Sequence, residues 1–145
     1  EYQKAVKVIE NSYKFEEFSK KESRWGIFLA NAYYELGKNE QSVKILKDYL
    51  SYSPKDLYLN QYYVKILTLQ ENYDEAIKHY RFMSANKLIS FSDISVAKKM
   101  ALLNIKVKKY IDADIFIKSI ENKDSGAINS GILYILILDQ MFAHT

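Results

Sequence analysis

Four short stretches of this chain share one order of side-chain types, and their spacing constrains the fold more than any other feature. The clearest is Asn72-Tyr73-Asp74-Glu75-Ala76-Ile77-Lys78-His79-Tyr80. Tyr110-Ile111-Asp112-Ala113-Asp114-Ile115-Phe116-Ile117 repeats its aromatic, acidic, alanine, aliphatic order; Tyr2-Gln3-Lys4-Ala5-Val6-Lys7-Val8-Ile9 gives it again, and Asn39-Glu40-Gln41-Ser42-Val43-Lys44-Ile45-Leu46 is a degenerate copy. Aligning the small residues Ala5, Ser42, Ala76 and Ala113 gives spacings of 42 − 5 = 37, 76 − 42 = 34 and 113 − 76 = 37. A period of roughly 34 residues is that of a repeated helical hairpin, a unit that buries its apolar face only by stacking on neighbours.

Composition agrees with such a chain. One proline and four glycines among 145 residues are too few to punctuate a β-sandwich or barrel. With 48% apolar and 27% charged residues the composition is globular. No cysteine is present, which excludes a disulfide framework, a thiolate nucleophile and cysteine-ligated metal centres while leaving the compartment open between cytoplasm and a bacterial periplasm or cell envelope. The net charge of +3 is too small to imply nucleic acid over the whole surface. The opening Glu1-Tyr2-Gln3-Lys4 enters a polar helix pattern directly. The most apolar run, Ile132-Leu133-Tyr134-Ile135-Leu136-Ile137-Leu138, is far shorter than the ~20 residues of a membrane span and reads as a buried helix.

Helices are expected at 1–17, 23–36, 40–52, 55–70, 73–87, 92–107, 110–121 and 127–142. Ser53-Pro54-Lys55-Asp56 offers a capping oxygen, a proline at the first helical position and an acid in the positive first turn. Asn72 with Glu75, and Ser90 with Asp93, read as capping pairs. The residues Trp25, Leu29, Ala30, Tyr33 and Leu36 mark one helical face, followed by Gly37 where a left-handed residue commonly ends a helix.

With these features in place, residues 23–56 resemble a complete tetratricopeptide unit. Leu29 and Ala30 fill the leucine–small pair, Tyr33 the tyrosine slot, Gly37 the hairpin turn, Ser42 the small slot and Pro54 the end. Residues 57–90 resemble a second unit through Tyr63, Val64, Leu67, Tyr73, Ala76, Tyr80 and Met83. Residues 91–125 resemble a third through Met100, Ala101, Tyr110, Ala113, Ile117 and Ile120. Residues 1–22 read as the second half of a truncated unit and 126–145 as the first helix of a further one, so the native protein is expected to extend beyond both termini. Three departures stand out: Gly26 occupies the tryptophan slot with Trp25 one residue early, Glu71 and Lys108 replace the hairpin glycine, and Asn104 takes an apolar slot. The resemblance implies an all-α, right-handed α-solenoid of stacked antiparallel helix hairpins forming a single tetratricopeptide-like domain.

It also implies a function. In that family the first helix of each hairpin lines a concave groove that receives a partner segment. By position the groove residues are Arg24, Phe28, Asn31 and Tyr34, then Tyr58, Gln61, Tyr62 and Lys65, then Lys98, Lys99, Leu102 and Lys106, with Ile27, Glu35, Thr68 and Ser95 beside them. Tyrosine supplies rigid contact area with a polar tip, which suits peptide recognition. Asn31 matches one asparagine of the carboxylate clamp of some co-chaperones, but Ile27 and Tyr62 stand where that clamp needs lysine and asparagine.

The expected role is therefore a non-catalytic protein-interaction scaffold. A bacterial assembly is suggested by the abundance of Lys, Ile, Asn and Tyr. Six lysines, Lys87, Lys98, Lys99, Lys106, Lys108 and Lys109, stand against Asp93 alone between residues 87 and 110, and they raise an alternative: an acidic or polysaccharide ligand in a cell-envelope or export machine. The absence of arginine there makes nucleic acid the weakest option. A peptide-sensing domain of a bacterial regulator is a further alternative. His79 and His144 read as solvated surface residues; Asp112/Asp114 and Glu16/Glu17 diverge around their helices, and no glycine-rich phosphate loop can be assembled, so neither a cofactor nor a metal is expected.

Overall fold

A computed structural model describes residues 1–13, 22–123 and Ile135. The described residues form seven α-helices: α1 (Tyr2–Tyr13), α2 (Ser23–Glu35), α3 (Asn39–Tyr52), α4 (Leu57–Leu69), α5 (Tyr73–Ala85), α6 (Ile94–Lys106) and α7 (Tyr110–Lys123). They fall into two compact units, Glu1–Asn72 and Tyr73–Thr145. The expected helix ends at 14–17 and the helix at 127–142 lie outside the described residues, except for Ile135, which is helical and 57% exposed rather than buried.

In the first unit α2 pairs with α3, α1 and α4 pack on that pair, and α2 also touches α4. Val6, Leu29, Ala32 and Tyr33 form a buried cluster, with Leu36 and Ile45 packed against it. The small slot does its work through a hydrogen bond: the buried Ser42 hydroxyl of α3 donates to the Ala30 carbonyl of α2 at 2.7 Å. Trp25 does not share this core. The buried residues of α2 are Gly26, Leu29, Ala30, Ala32 and Tyr33; position 25 is in line with Leu29 and Ala32 but stands in the first turn of the helix. Trp25 is 41% exposed and meets Phe28 edge-on, with ring centroids 6.5 Å apart. The space that a large residue at position 26 would fill is taken from α3 instead, by the ring of Tyr49. A Cβ on Gly26 would lie 2.5 Å from Tyr49 Cγ.

In the second unit α6 packs against both α5 and α7. Ala101, Ala113 and Ile117 form a buried cluster against Ile105, Tyr110 and Phe116. Phe91 meets Phe116 edge-to-face at 5.5 Å, and the Lys123 ammonium donates to the Ser92 carbonyl. Asn104, in the apolar slot, is fully buried; its amide donates to the Met100 carbonyl at 2.8 Å.

The turns are built alike. Gly37, Glu71 and Lys108, the three hairpin-turn positions, all hold positive φ (72°, 59° and 61°), and Lys87 after α5 does the same at 59°. Each is closed by two backbone hydrogen bonds: Gly37 N–H to Tyr34 and Lys38 N–H to Tyr33, Glu71 to Thr68 and Asn72 to Leu67, Lys87 to Ser84 and Leu88 to Met83, Lys108 to Ile105 and Lys109 to Asn104. This is the reversal in which a left-handed residue returns its neighbours' N–H groups to the last free carbonyls of the helix.

The caps differ from expectation. Asp56, not Ser53, caps α4: its carboxylate accepts from Leu59 N–H at 2.9 Å, so the helix begins at Leu57, beyond Pro54. Asp93 caps α6 by itself, accepting from Ser95 and Val96 N–H at 2.8 and 3.2 Å, while the Ser90 hydroxyl pairs with Ser92. In both cases the charged acceptor next to the first turn displaces the serine three residues upstream, because its oxygen reaches the free donors directly.

Candidate functional site

The α2–α4 contact in the first unit brings two stripes side by side. On α2, Arg24, Phe28 and Asn31 recur at helical spacing, with Tyr34 and Glu35 closing the stripe; on α4, Tyr58, Gln61, Tyr62 and Lys65 do so. The N-terminal ends of the two helices are tied by the Ser23 hydroxyl, which donates to Asp56 at 2.5 Å while the other oxygen of that carboxylate caps α4. Further along, the Tyr62 hydroxyl donates to Asn31 Oδ1 at 2.8 Å, directly between the stripes.

Tyr62 is the pivot of this face. It is half-buried, and its hydroxyl pKa is raised, first by burial and then by the nearby Glu35 carboxylate, so it stays a neutral donor. Lys65 places its ammonium 5.4 Å from the Tyr62 ring centroid, a cation–π contact that fixes the ring's outer side. Around it, Phe28 is 46% and Tyr58 73% exposed, and Arg24, Gln61 and Lys65 are exposed as well, while Asn31 and Tyr34 are half-buried. Arg24 is held at 2.7 Å by Glu22. The face thus offers aromatic area at the N-terminal ends of both helices, an amide and hydroxyl in the middle, and one charge of each sign beyond. Trp25, 41% exposed beside Phe28, extends it, although helical spacing sets it in line with the buried Leu29 and Ala32.

The remaining expected residues lie on α6 of the second unit. Lys99, Leu102 and Lys106 are exposed and Lys98 is half-buried. Lys98, Leu102 and Lys106 share one line of the helix, and Lys99 stands ~100° round from it. The six sequence lysines do not form one patch by continuity: Lys87 sits in the turn after α5, three are on α6, and Lys108 and Lys109 form the turn into α7, where Lys109 lies 3.7 Å from Asp74.

His79 departs from the solvated reading. It is half-buried with its ring stacked on Phe82 at 5.3 Å, and burial pulls its pKa down to about 4, which keeps it neutral at pH 7. Asp114 pairs with Lys118 at 2.7 Å. Glu16, Glu17 and His144 lie outside the described residues. Among the described residues no group of three or more His, Asp or Glu side chains is placed to hold a metal ion, and no helix is long and apolar enough to cross a membrane.

No family model matches the sequence, and no curated protein matches it. A solved structure does: a tetratricopeptide repeat protein from Parabacteroides merdae superposes with a TM-score of 0.78 at 12% sequence identity, over 98% of this chain and 54% of that one. The chain therefore spans about half the length of that neighbour. With helices, left-handed turns and small-residue contacts at the expected spacings, this chain has the all-α repeat fold of a tetratricopeptide protein.

Proposed function

We propose that the chain is a non-catalytic protein-interaction scaffold, working within a larger bacterial assembly, and that the α2–α4 face receives an extended segment of its partner. The observation that carries this reading is the Tyr62–Asn31 hydrogen bond flanked by exposed Phe28 and Tyr58. The bond pre-sets the polar centre of the face, which reduces the ordering cost of binding. The aromatic rings on either side give the rigid, amphipathic contact area that dominates interface energies. Asn31 keeps its side-chain NH2 for a backbone carbonyl of the guest. On the second unit, taken by itself, the α6 residues Lys98, Lys99, Leu102 and Lys106 are a separate proposed partner contact. A polysaccharide or other polyanion is the weaker occupant there, since Lys99 is off the line of the other two lysines.

Selection of peptides displayed on phage against the wild-type chain, followed by calorimetric titration of the enriched sequences, tests the face. Phe28→Ala/Tyr58→Ala is expected to weaken the selected peptides at least tenfold. Enriched peptides that bind this double variant as tightly as the wild type would refute the assignment.

A further inference from the structure

A shift of 71 positions superposes one part of the first unit on one part of the second: 76 − 5 and 109 − 38 both give 71. Under that shift Gln3, Lys4, Val6 and Lys7 of α1 correspond to Asp74, Glu75, Ile77 and Lys78 of α5. Leu36 and Lys38 at the end of α2 correspond to Val107 and Lys109 at the end of α6. The six residues on the first-unit side line a cleft of about 320 Å³. Its apolar floor is Val6 and Leu36, and three lysines stand round it.

The two places differ in how their charges are settled. In the second unit both lysines have acids: Lys78 is 2.7 Å from Glu75 and Lys109 is 3.7 Å from Asp74. In the first unit those acids are replaced by Lys4 and Gln3, which leaves three lysines and no carboxylate in the lining. Among the described residues none of Lys4, Lys7 and Lys38 forms an ion pair. Lys38 rests instead over the Tyr33 ring, 5.9 Å from its centroid. The arrangement is unfavourable by itself. Lys4 and Lys7 are like charges three residues apart on one helix. Lys4 also lies in the first turn of α1, where the helix dipole disfavours a cation, while the first turn of α5 carries Asp74 and Glu75.

We propose that this cleft binds an acidic peptide segment of a partner protein, an aliphatic side chain seated over Val6 and Leu36 between carboxylates that take the places of Asp74 and Glu75. The volume is at the small end of ligand pockets, roughly 300–1,000 Å³, and matches a few residues rather than a folded element. Charge complementarity selects the sign of the guest, and the apolar floor selects a peptide over a bare inorganic anion. The guest contributes in trans what α5 carries in its own sequence.

Fluorescence anisotropy with a fluorescein-labelled peptide containing Asp-Glu-Leu-Glu tests this on the full chain. Gln3→Asp/Lys4→Glu, which installs the second-unit acids, is expected to lower affinity at least tenfold and to raise the Tm of the unliganded protein, so loss of binding cannot be loss of folding. Lys7→Gln/Lys38→Gln is expected to weaken the peptide too, and Lys118→Gln, which removes a lysine elsewhere, to leave it unchanged. The same peptide with Asn-Gln-Leu-Gln is expected to bind at least tenfold more weakly. The proposal fails if Gln3→Asp/Lys4→Glu binds as well as wild type or if the neutral peptide is equivalent. It fails equally if inorganic tripolyphosphate displaces the acidic peptide at matched concentration, which would make the cleft a general polyanion site.

Discussion

Gly26 offers the sharpest quantitative test of the packing. In an exposed helix interior, Gly→Ala stabilises by about 0.8–1.0 kcal/mol, because glycine loses the most backbone entropy on folding. At position 26 the added Cβ would lie 2.5, 2.8 and 2.9 Å from Cγ, Cδ1 and Cδ2 of Tyr49, where carbon atoms sit comfortably at about 3.5–4.0 Å. Tyr49 is only 2% exposed, so its ring cannot swing into solvent; α2 and α3 must part or the ring must leave its rotamer. Such overpacking costs about 1–3 kcal/mol. Setting the propensity gain against that range, Gly26→Ala should destabilise the chain by about 1 kcal/mol, or roughly 2–4 °C in Tm. The assay is thermal and urea unfolding followed by the fluorescence of Trp25, the sole tryptophan, which stands on the same helix. A double-mutant cycle completes it: with Tyr49→Leu in the background, Gly26→Ala should become stabilising, giving a coupling of about 1 kcal/mol or more. A rise in Tm for Gly26→Ala in the wild-type background, or a cycle without coupling, would refute the reasoning.

Two further outcomes follow from local geometry. Glu71→Gly and Lys108→Gly should each stabilise by up to about 1 kcal/mol in thermal melts, since a side chain at left-handed φ costs roughly 1–2 kcal/mol and glycine's extra entropy loss offsets part of the relief; Gly37→Ala should destabilise although the space around it is open. For His79, the folded pKa of about 4 lies below the ordinary 6.5, so unfolding takes up a proton between these values. Stability should be complete above pH 6.5 and decline as pH falls towards 4, with a modest amplitude because the ring is half-exposed to solvent. His79→Phe, which retains the stacking on Phe82, should flatten the Tm profile between pH 6.5 and 5, and an unchanged slope would show that another group is responsible.

The architecture was legible because it rests on spacing. Of the small residues Ala5, Ser42, Ala76 and Ala113, the last three are fully buried and Ala5 half-buried, so their intervals mark the repeat in the sequence. What was not legible depends on which of two nearby groups wins a contest in space. Trp25 marks one helical face with Leu29 and Ala30 in the sequence, yet it is 41% exposed, and at position 26 it is the ring of Tyr49 from the opposite helix that holds the volume. Ser53 and Ser90 looked like caps, yet Asp56 and Asp93 were nearer to the free N–H groups and carried the charge those groups prefer. The stripe members of the α2–α4 face followed from helical position, whereas the Tyr62–Asn31 bond and the Glu35 influence on Tyr62 needed the angle between two helices, which no periodicity encodes.

The reversals at Gly37, Glu71 and Lys108 are made from main-chain atoms alone, so nothing in them insists on a particular letter once the chain tolerates the handedness. Substitution can therefore erase the punctuation while the path of the chain persists. That is how a molecule of this kind drifts out of reach of a comparison by spelling, at 12% identity, and stays within reach of one by shape.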